Sequence, residues 1–322
     1  MLALNILGLE MNLNNQLRDL ALDRVVIWGL RTTFNDTFYF IHKGLYETLK
    51  KLGIPVIWID DKQENIGLLQ KGDLVYAVDR AAKFLPVRSD LKYCLHNISD
   101  QFISQLNPAQ YLAIQVLTLD RFQEGVENKR PLDSSLHGSA TFDPANNVLY
   151  QSWGTPILAK DFMSPINFPL KKSEYFVGTI WDNSLGQGNK RVIAEYDSIL
   201  KERNIKFKCV KGAPEFFNPI YVRHSAIGAS IVGDWQKQNG YTPCRLFKAV
   251  SYGRIGAINS QNTKIQYPWS LANENIGELI EEILSMGDSK TKELIRHQQK
   301  ELEQETYEAK ISNVCSILAS KI

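Results

Sequence analysis

Short unbroken apolar runs alternate along this chain with segments whose apolar residues recur at helical spacing. Residues 24–30 (RVVIWGL) read as a strand buried on both faces. A helix is predicted over 36–52, with Leu45, Leu49 and Leu52 on one face and Gly53 just past its end. Strands are predicted at 54–59, 73–78, 92–95 and 111–116. Residues 118–172 carry Pro131, Pro144, Pro156, Pro165 and Pro169 and few periodic apolar runs. They read as the end of one unit and a linker, with a short strand at 148–153.

A second series follows. Strands are predicted at 175–180, 206–210, 229–232 and 256–259. Helices are predicted at 191–203, 243–252 (closed by Gly253) and 276–286. Residues 290–320 read as highly charged and helical, with acid-to-base spacings that support exposed faces. The alternation predicts an α/β fold of two Rossmann-like units in tandem, 1–165 and 166–306, followed by a helix at 307–322.

Composition narrows the function classes. Hydrophobic residues are 44% and charged residues 22% of 322, which excludes disordered and coiled-coil classes. Lys plus Arg is 37 against 35 for Asp plus Glu, a formal charge of +2, so general nucleic-acid binding is not expected. Cys94, Cys209, Cys244 and Cys315 are widely separated, without a CxxC pair, which argues against a disulfide framework or a zinc knuckle. No window reaches the length of apolar sequence that a membrane helix needs. The expectation is a cytoplasmic protein without a transmembrane segment; peripheral contact with a membrane stays open, as does oligomeric state.

In open parallel sheets ligands bind beyond the carboxyl ends of the strands, so the loops there carry the candidate chemistry. After the first strand, Gly29 to Asp36 form a polar loop in which Arg31 is placed to meet an anionic or hydroxyl-rich ligand. After strand 175–180, Gly186, Gly188, Lys190 and Arg191 precede a helix, a sequence suited to a phosphate cradle of backbone amides. Lys211 directly follows strand 206–210. The segment 240–260 (GYTPCRLFKAVSYGRIGAINS) is the strongest: Pro243 suits a helix start, and Arg245 and Lys248 share one helical face. Two cations near a helix N-terminus can neutralise a diphosphate.

Proton acceptors are sparser. His42, His96 and His224, with Asp60 and Asp61 at a strand end, are the candidates for activating a hydroxyl. The histidines lack metal-ligand spacing, and no Asp-x-Asp, Walker A or Gly-x-Ser-x-Gly sequence occurs, so no metal is predicted. Trp28, Tyr39, Trp58, Trp181, Trp235 and Tyr241 are aromatic candidates for stacking on a sugar or base.

Pro243, Arg245, Phe247 and Gly253 together resemble the donor-binding motif of glycosyltransferases of the GT-B fold, in particular the group containing the spore-maturation CgeB-like proteins. The resemblance covers about residues 175–285. Lys248 stands where that group usually carries an acidic residue that binds the donor ribose. The resemblance implies two facing Rossmann-like domains, the first for an acceptor and the second for a nucleotide sugar, with the terminal helix returning to the first. It implies transfer of a sugar to a glycan or other hydroxyl acceptor without a metal or other cofactor. Arg245, Lys248, Lys190 and Lys211 then carry the diphosphate, while Gly240, Tyr241, Ser251 and Asn259 shape the donor site. Arg31 and Asp60 face the acceptor, and His96, Asp60 and His42 are the expected catalytic groups. Alternatives are an epimerase or hydrolase acting on sugar nucleotides, and a catalytically inactive module that binds a nucleotide sugar or glycan.

Overall fold

The computed structural model describes residues 13–34, 37–96, 100–116, 140–167, 172–211 and 215–321. Pro131 and Pro169 of the proline-bearing middle lie outside these residues. The first half of the chain runs through α1 (Leu13–Asp19), β1 (Arg24–Trp28), α2 (Thr37–Lys51), β2 (Val56–Ile59), β3 (Asp73–Val78), β4 (Lys92–His96), α3 (Asp100–Ile103), β5 (Tyr111–Gln115), β6 (Thr141–Asp143) and β7 (Val148–Tyr150). Its strands form a seven-stranded sheet in the order β2-β1-β3-β4-β5-β7-β6. Every neighbouring pair is parallel except β6 and β7.

The unbroken apolar runs follow from this topology, because both faces of the sheet are covered. Val25, Ile27, Leu74, Tyr76, Cys94 and Leu112 point to a core shared with α1, α2 and the terminal helix. Val26, Trp28, Val75, Ala77, Tyr93 and Leu95 point to the other, closed by short helical turns and loops. Register across β1 and β3 is held at the strand start, where Arg24 Nε donates to the buried Asp73 carboxylate at 2.7 Å.

The second half contains β8 (Ser173–Val177), α4 (Lys190–Glu202), β9 (Lys206–Val210), α5 (Asn218–His224), α6 (Asp234–Gln238), α7 (Cys244–Ser251), β10 (Ala257–Ile258), α8 (Gln261–Gln266), β11 (Leu271–Ala272), α9 (Ile276–Ser285), α10 (Asp288–Leu302) and α11 (Tyr307–Ala319). Two short parallel ladders, β8–β9 and β10–β11, replace a continuous sheet. The strand predicted at 229–232 makes only a bridge from Ser230 to Ile258. Beside it, the side chain of Asn259 both accepts from Val232 N at 2.8 Å and donates to Val232 O at 3.0 Å. A side-chain amide thus does what another ladder strand would do. Phe176, Ile193, Tyr196, Leu200, Leu279 and Ile280 form the core of this half.

The halves meet along the linker and the chain end. Met163 N donates to Ser251 O at 2.8 Å and Ile166 N to Gly253 O at 2.9 Å, so the linker is tied to the second half before residue 166. Gly253 stands at φ +75, and a Cβ there would lie 2.3 Å from Ser164 O, so both backbone angle and space demand glycine. The helical stretch expected over 290–320 is interrupted just before residue 307, where the terminal helix was expected to begin. Between α10 and α11, Thr306 bridges to Thr155, a pairing distant in sequence that separates the two helices. Beyond the break, Tyr307, Ile311, Val314 and Leu318 join the core of the first half. Lys310 Nζ meets Glu305 Oε2 at 2.5 Å with both side chains buried; burial drives the carboxyl upward and the ammonium downward in pKa, and each partner opposes the other's shift.

Candidate functional site

A cavity of about 190 Å³ opens where the carboxyl ends of β8 and β9 face α2 and the start of α11. Phe40 and Ile41 of α2 and Tyr307 of α11 line it on one side, and Phe176, Gly178, Val210 and the first residues of α7 line it on the other. Three cations reach it: Lys211, Arg245 and Lys248. Among its described lining residues there is no Asp or Glu.

Arg245 is the second residue of α7, whose amphipathic pattern buries Leu246, Phe247 and Val250 and turns Arg245 and Lys248 outward. Its guanidinium lies over the Phe176 ring, 4.5 Å from the centroid, and Nη2 donates to Ile231 O at 3.0 Å. Nε is buried without an acceptor, and among the described residues no carboxylate pairs with this side chain. Burial lowers its pKa, but a guanidinium stays charged at any physiological pH. Pro243, at the helix entry, has no capping side chain; Leu246 N donates to Pro243 O at 3.0 Å, which leaves the amides of Cys244 and Arg245 at this end. Tyr241 lines the cavity as well, and burial pushes its hydroxyl up to about 12, which keeps it a hydrogen-bond donor.

Of the expected donor-site residues, the cavity gathers Lys211, Tyr241, Arg245 and Lys248, and not the others. Gly240 lies at φ +65 in the preceding turn, outside the lining. Ser251 is buried at the junction, with Oγ donating to Lys248 O at 2.9 Å and 3.2 Å from Thr155 Oγ1. Asn259 is fully buried and engaged by Val232 through both ends of its amide. Lys190 is exposed, and the loop before it forms no amide cradle. Asp182 Oδ1 accepts from Asn183 N and Gly188 N, Asn183 Oδ1 from Leu185 N and Gln187 N, and Trp181 O from Asn189 N and Lys190 N. Donors satisfied within the loop have nothing left for an anion.

The first-half candidates are also structural in part. Arg31 Nη1 donates to Trp58 O at 3.0 Å, Asp60 Oδ1 accepts from Thr32 N at 3.0 Å, and Asp61 accepts from Trp28 Nε1 at 2.8 Å. His42 is buried with Nδ1 3.3 Å from Gly29 O. His224 Nδ1 lies 2.8 Å from Ile220 O on the exposed side of α5. His96 differs from all of these. It is 3% exposed, sits between Phe38 and Trp153 (ring centroids 5.3 Å and 4.8 Å away), and among the described residues neither ring nitrogen has a partner. Burial, reinforced by His42, drives its pKa down to about 3, so it is neutral at pH 7. Phe38 stands three residues before the cavity-lining Ile41 on α2, hence on the same helix face.

Of the aromatic candidates, Trp28 and Trp58 belong to the core, whereas Trp181 is 38% exposed and lies outside the cavity. Sequence reasoning missed Phe176, Tyr252 and Tyr307, which shape the cavity wall. Only Tyr307 carried a signal, as the first residue of the helix expected to return. No family model matches the chain, and no curated protein matches its sequence. Among the described residues no helix is long and apolar enough to cross a membrane, and no cluster of three His, Cys, Asp or Glu side chains stands ready for a metal.

Proposed function

We propose that this chain is a glycosyltransferase of the GT-B type that holds the diphosphate of a nucleotide sugar in the Arg245 cavity. In this reading its halves act as facing Rossmann-like units, the second for the donor and the first for a hydroxyl-bearing acceptor. The single observation that carries the reading is Arg245: a guanidinium fixed by an aromatic ring and one carbonyl, aimed at a cavity, with no carboxylate among the described residues to neutralise it. A charge held this way favours an anion, and a ligand bearing two phosphates suits three cations and no acid.

Transfer breaks the bond between the anomeric carbon and the β-phosphate oxygen, and both electrons leave with the diphosphate. Arg245, Lys248 and Lys211 stabilise the charge that develops there, and the first amides of α7 add the positive end of its dipole. The acceptor oxygen bonds to the anomeric carbon and gives up its proton. Of the three expected proton acceptors, Asp60 and His42 already hold backbone partners, whereas His96 has both nitrogens unengaged among the described residues. His96, however, is 3% exposed, lies outside the cavity lining and is driven by burial to a pKa of about 3, so the acceptor proton passes to an oxygen of the departing diphosphate rather than to a side chain.

Titration calorimetry with uridine, guanosine and cytidine diphosphates tests the proposal. At least one should bind the wild-type chain, and Arg245→Ala should weaken it on the order of 30-fold or more, the effect of removing one partner from a buried charge-assisted contact. Absence of binding by all three and by their sugar conjugates would overturn it. Turnover of donor without any acceptor would move the assignment to a hydrolase or epimerase.

A further inference from the structure

The second half carries an apolar, basic strip that the proposed chemistry does not use. Phe216 is 70% exposed, Ile220 50% and Phe217 38%, in a chain whose other large apolar side chains are mostly buried. The Phe216 and Phe217 rings lie 4.2 Å apart, Phe217 is 6.3 Å from Tyr221, and Tyr221 is 5.4 Å from Tyr175. Lys208 Nζ stands 5.1 Å from the Tyr175 ring and so joins the strip to β9. Lys206, two residues earlier on that strand, projects from the same face. Both lysines are exposed, and among the described residues neither meets a carboxylate. The opposite side of α5 lines the cavity through Asn218 and Val222, so the strip lies beside the proposed ligand site.

We infer that this strip docks the protein on an anionic lipid surface, with Phe216, Phe217 and Ile220 entering the headgroup region and Lys206 and Lys208 meeting acidic headgroups. Adjacent exposed aromatics beside unpaired lysines match the two requirements of interfacial binding, apolar burial and attraction to negative charge. A second copy of the chain fits less well, because a two-fold pairing through the strip sets lysines against lysines. The inference goes beyond the proposed transferase activity and does not depend on it.

Co-sedimentation of the full chain with vesicles tests it. Vesicles of phosphatidylcholine mixed with phosphatidylglycerol should carry the protein down, and phosphatidylcholine alone should not. Phe216→Ser with Phe217→Ser, and separately Lys206→Glu with Lys208→Glu, should each lower the bound fraction about tenfold or more. Nucleoside diphosphate affinity should stay unchanged in both, and Arg245→Ala should still sediment, which separates this idea from the ligand assignment. Circular dichroism of the variants checks the fold. No binding to the anionic vesicles at low salt, binding untouched by both double variants, or a concentration-dependent dimer abolished by the serine pair would overturn the inference.

Discussion

The loop before α4 and the turn before α7 share the same elements: glycine, a nearby basic residue and a helix start. Their hydrogen bonding is opposite. In the first, Asp182, Asn183 and Asn189 fold back and accept the loop's own amides, so Lys190 is left as an exposed side chain on a closed loop. Neither helix has a side-chain cap, but in the second Arg245 leans over Phe176 with its Nε lacking an acceptor among the described residues. Glycine content and charge therefore do not make an anion site. What makes one is the presence of donors that the local chain has not already satisfied.

The sharpest test of this contrast pairs Arg245→Ala with Lys190→Ala. The first should cost about 2–4 kcal/mol of nucleoside diphosphate affinity, and the second should change it by less than about twofold. Equal losses in calorimetry would break the comparison. The same opposition of satisfied and unsatisfied groups recurs at His96. Its folded pKa, near 3, lies below the ordinary value of 6.5, so the unfolded chain binds the extra proton first as pH falls. Stability from this site is complete above 6.5 and is lost toward about 3. His96→Leu should remove that loss, a gain of about 2–3 kcal/mol relative to wild type by roughly pH 4.5, read from urea midpoints at neutral and acid pH. An unchanged acid slope would show that His96 is not held neutral.

A smaller effect is expected from closing distances in the α4 loop. A Cβ on Gly188 would lie 2.0 Å from Trp181 O, so Gly188→Ala should lower stability by about 1–3 kcal/mol while leaving ligand affinity intact. Loss of affinity without loss of stability would return that loop to the site. Least of all, Lys211→Ala and Lys248→Ala should each weaken diphosphate binding about threefold to tenfold, and the salt dependence of binding should become shallower in each. A salt dependence identical to wild type would remove these lysines from ligand contact.

Much of the fold was legible. The run 73–78 is β3 to the residue, because a strand covered on both faces shows as unbroken apolar sequence. Gly53 and Gly253 mark helix ends, at φ +69 and +75. Other features needed partners distant in sequence. The strand expected at 229–232 is replaced by the grip of Asn259 on Val232, and the pairing of Thr306 with Thr155 just before the terminal helix had no local signal. Of the site, Arg245 and Lys248 followed from a three-residue spacing, but Phe176 could not be foreseen beneath the guanidinium.

The sequence by itself determined the αβ alternation, the amphipathic face of α7 and the cationic character of its first turns, because these depend on residues a few positions apart. Tertiary structure alone decided which cations share a cavity that no described acid lines, which amides are already satisfied, and that His96 is enclosed with no partner among the described residues. Those outcomes depend on distances between β4, β8, α2 and α7, and such distances exist only after the chain has packed.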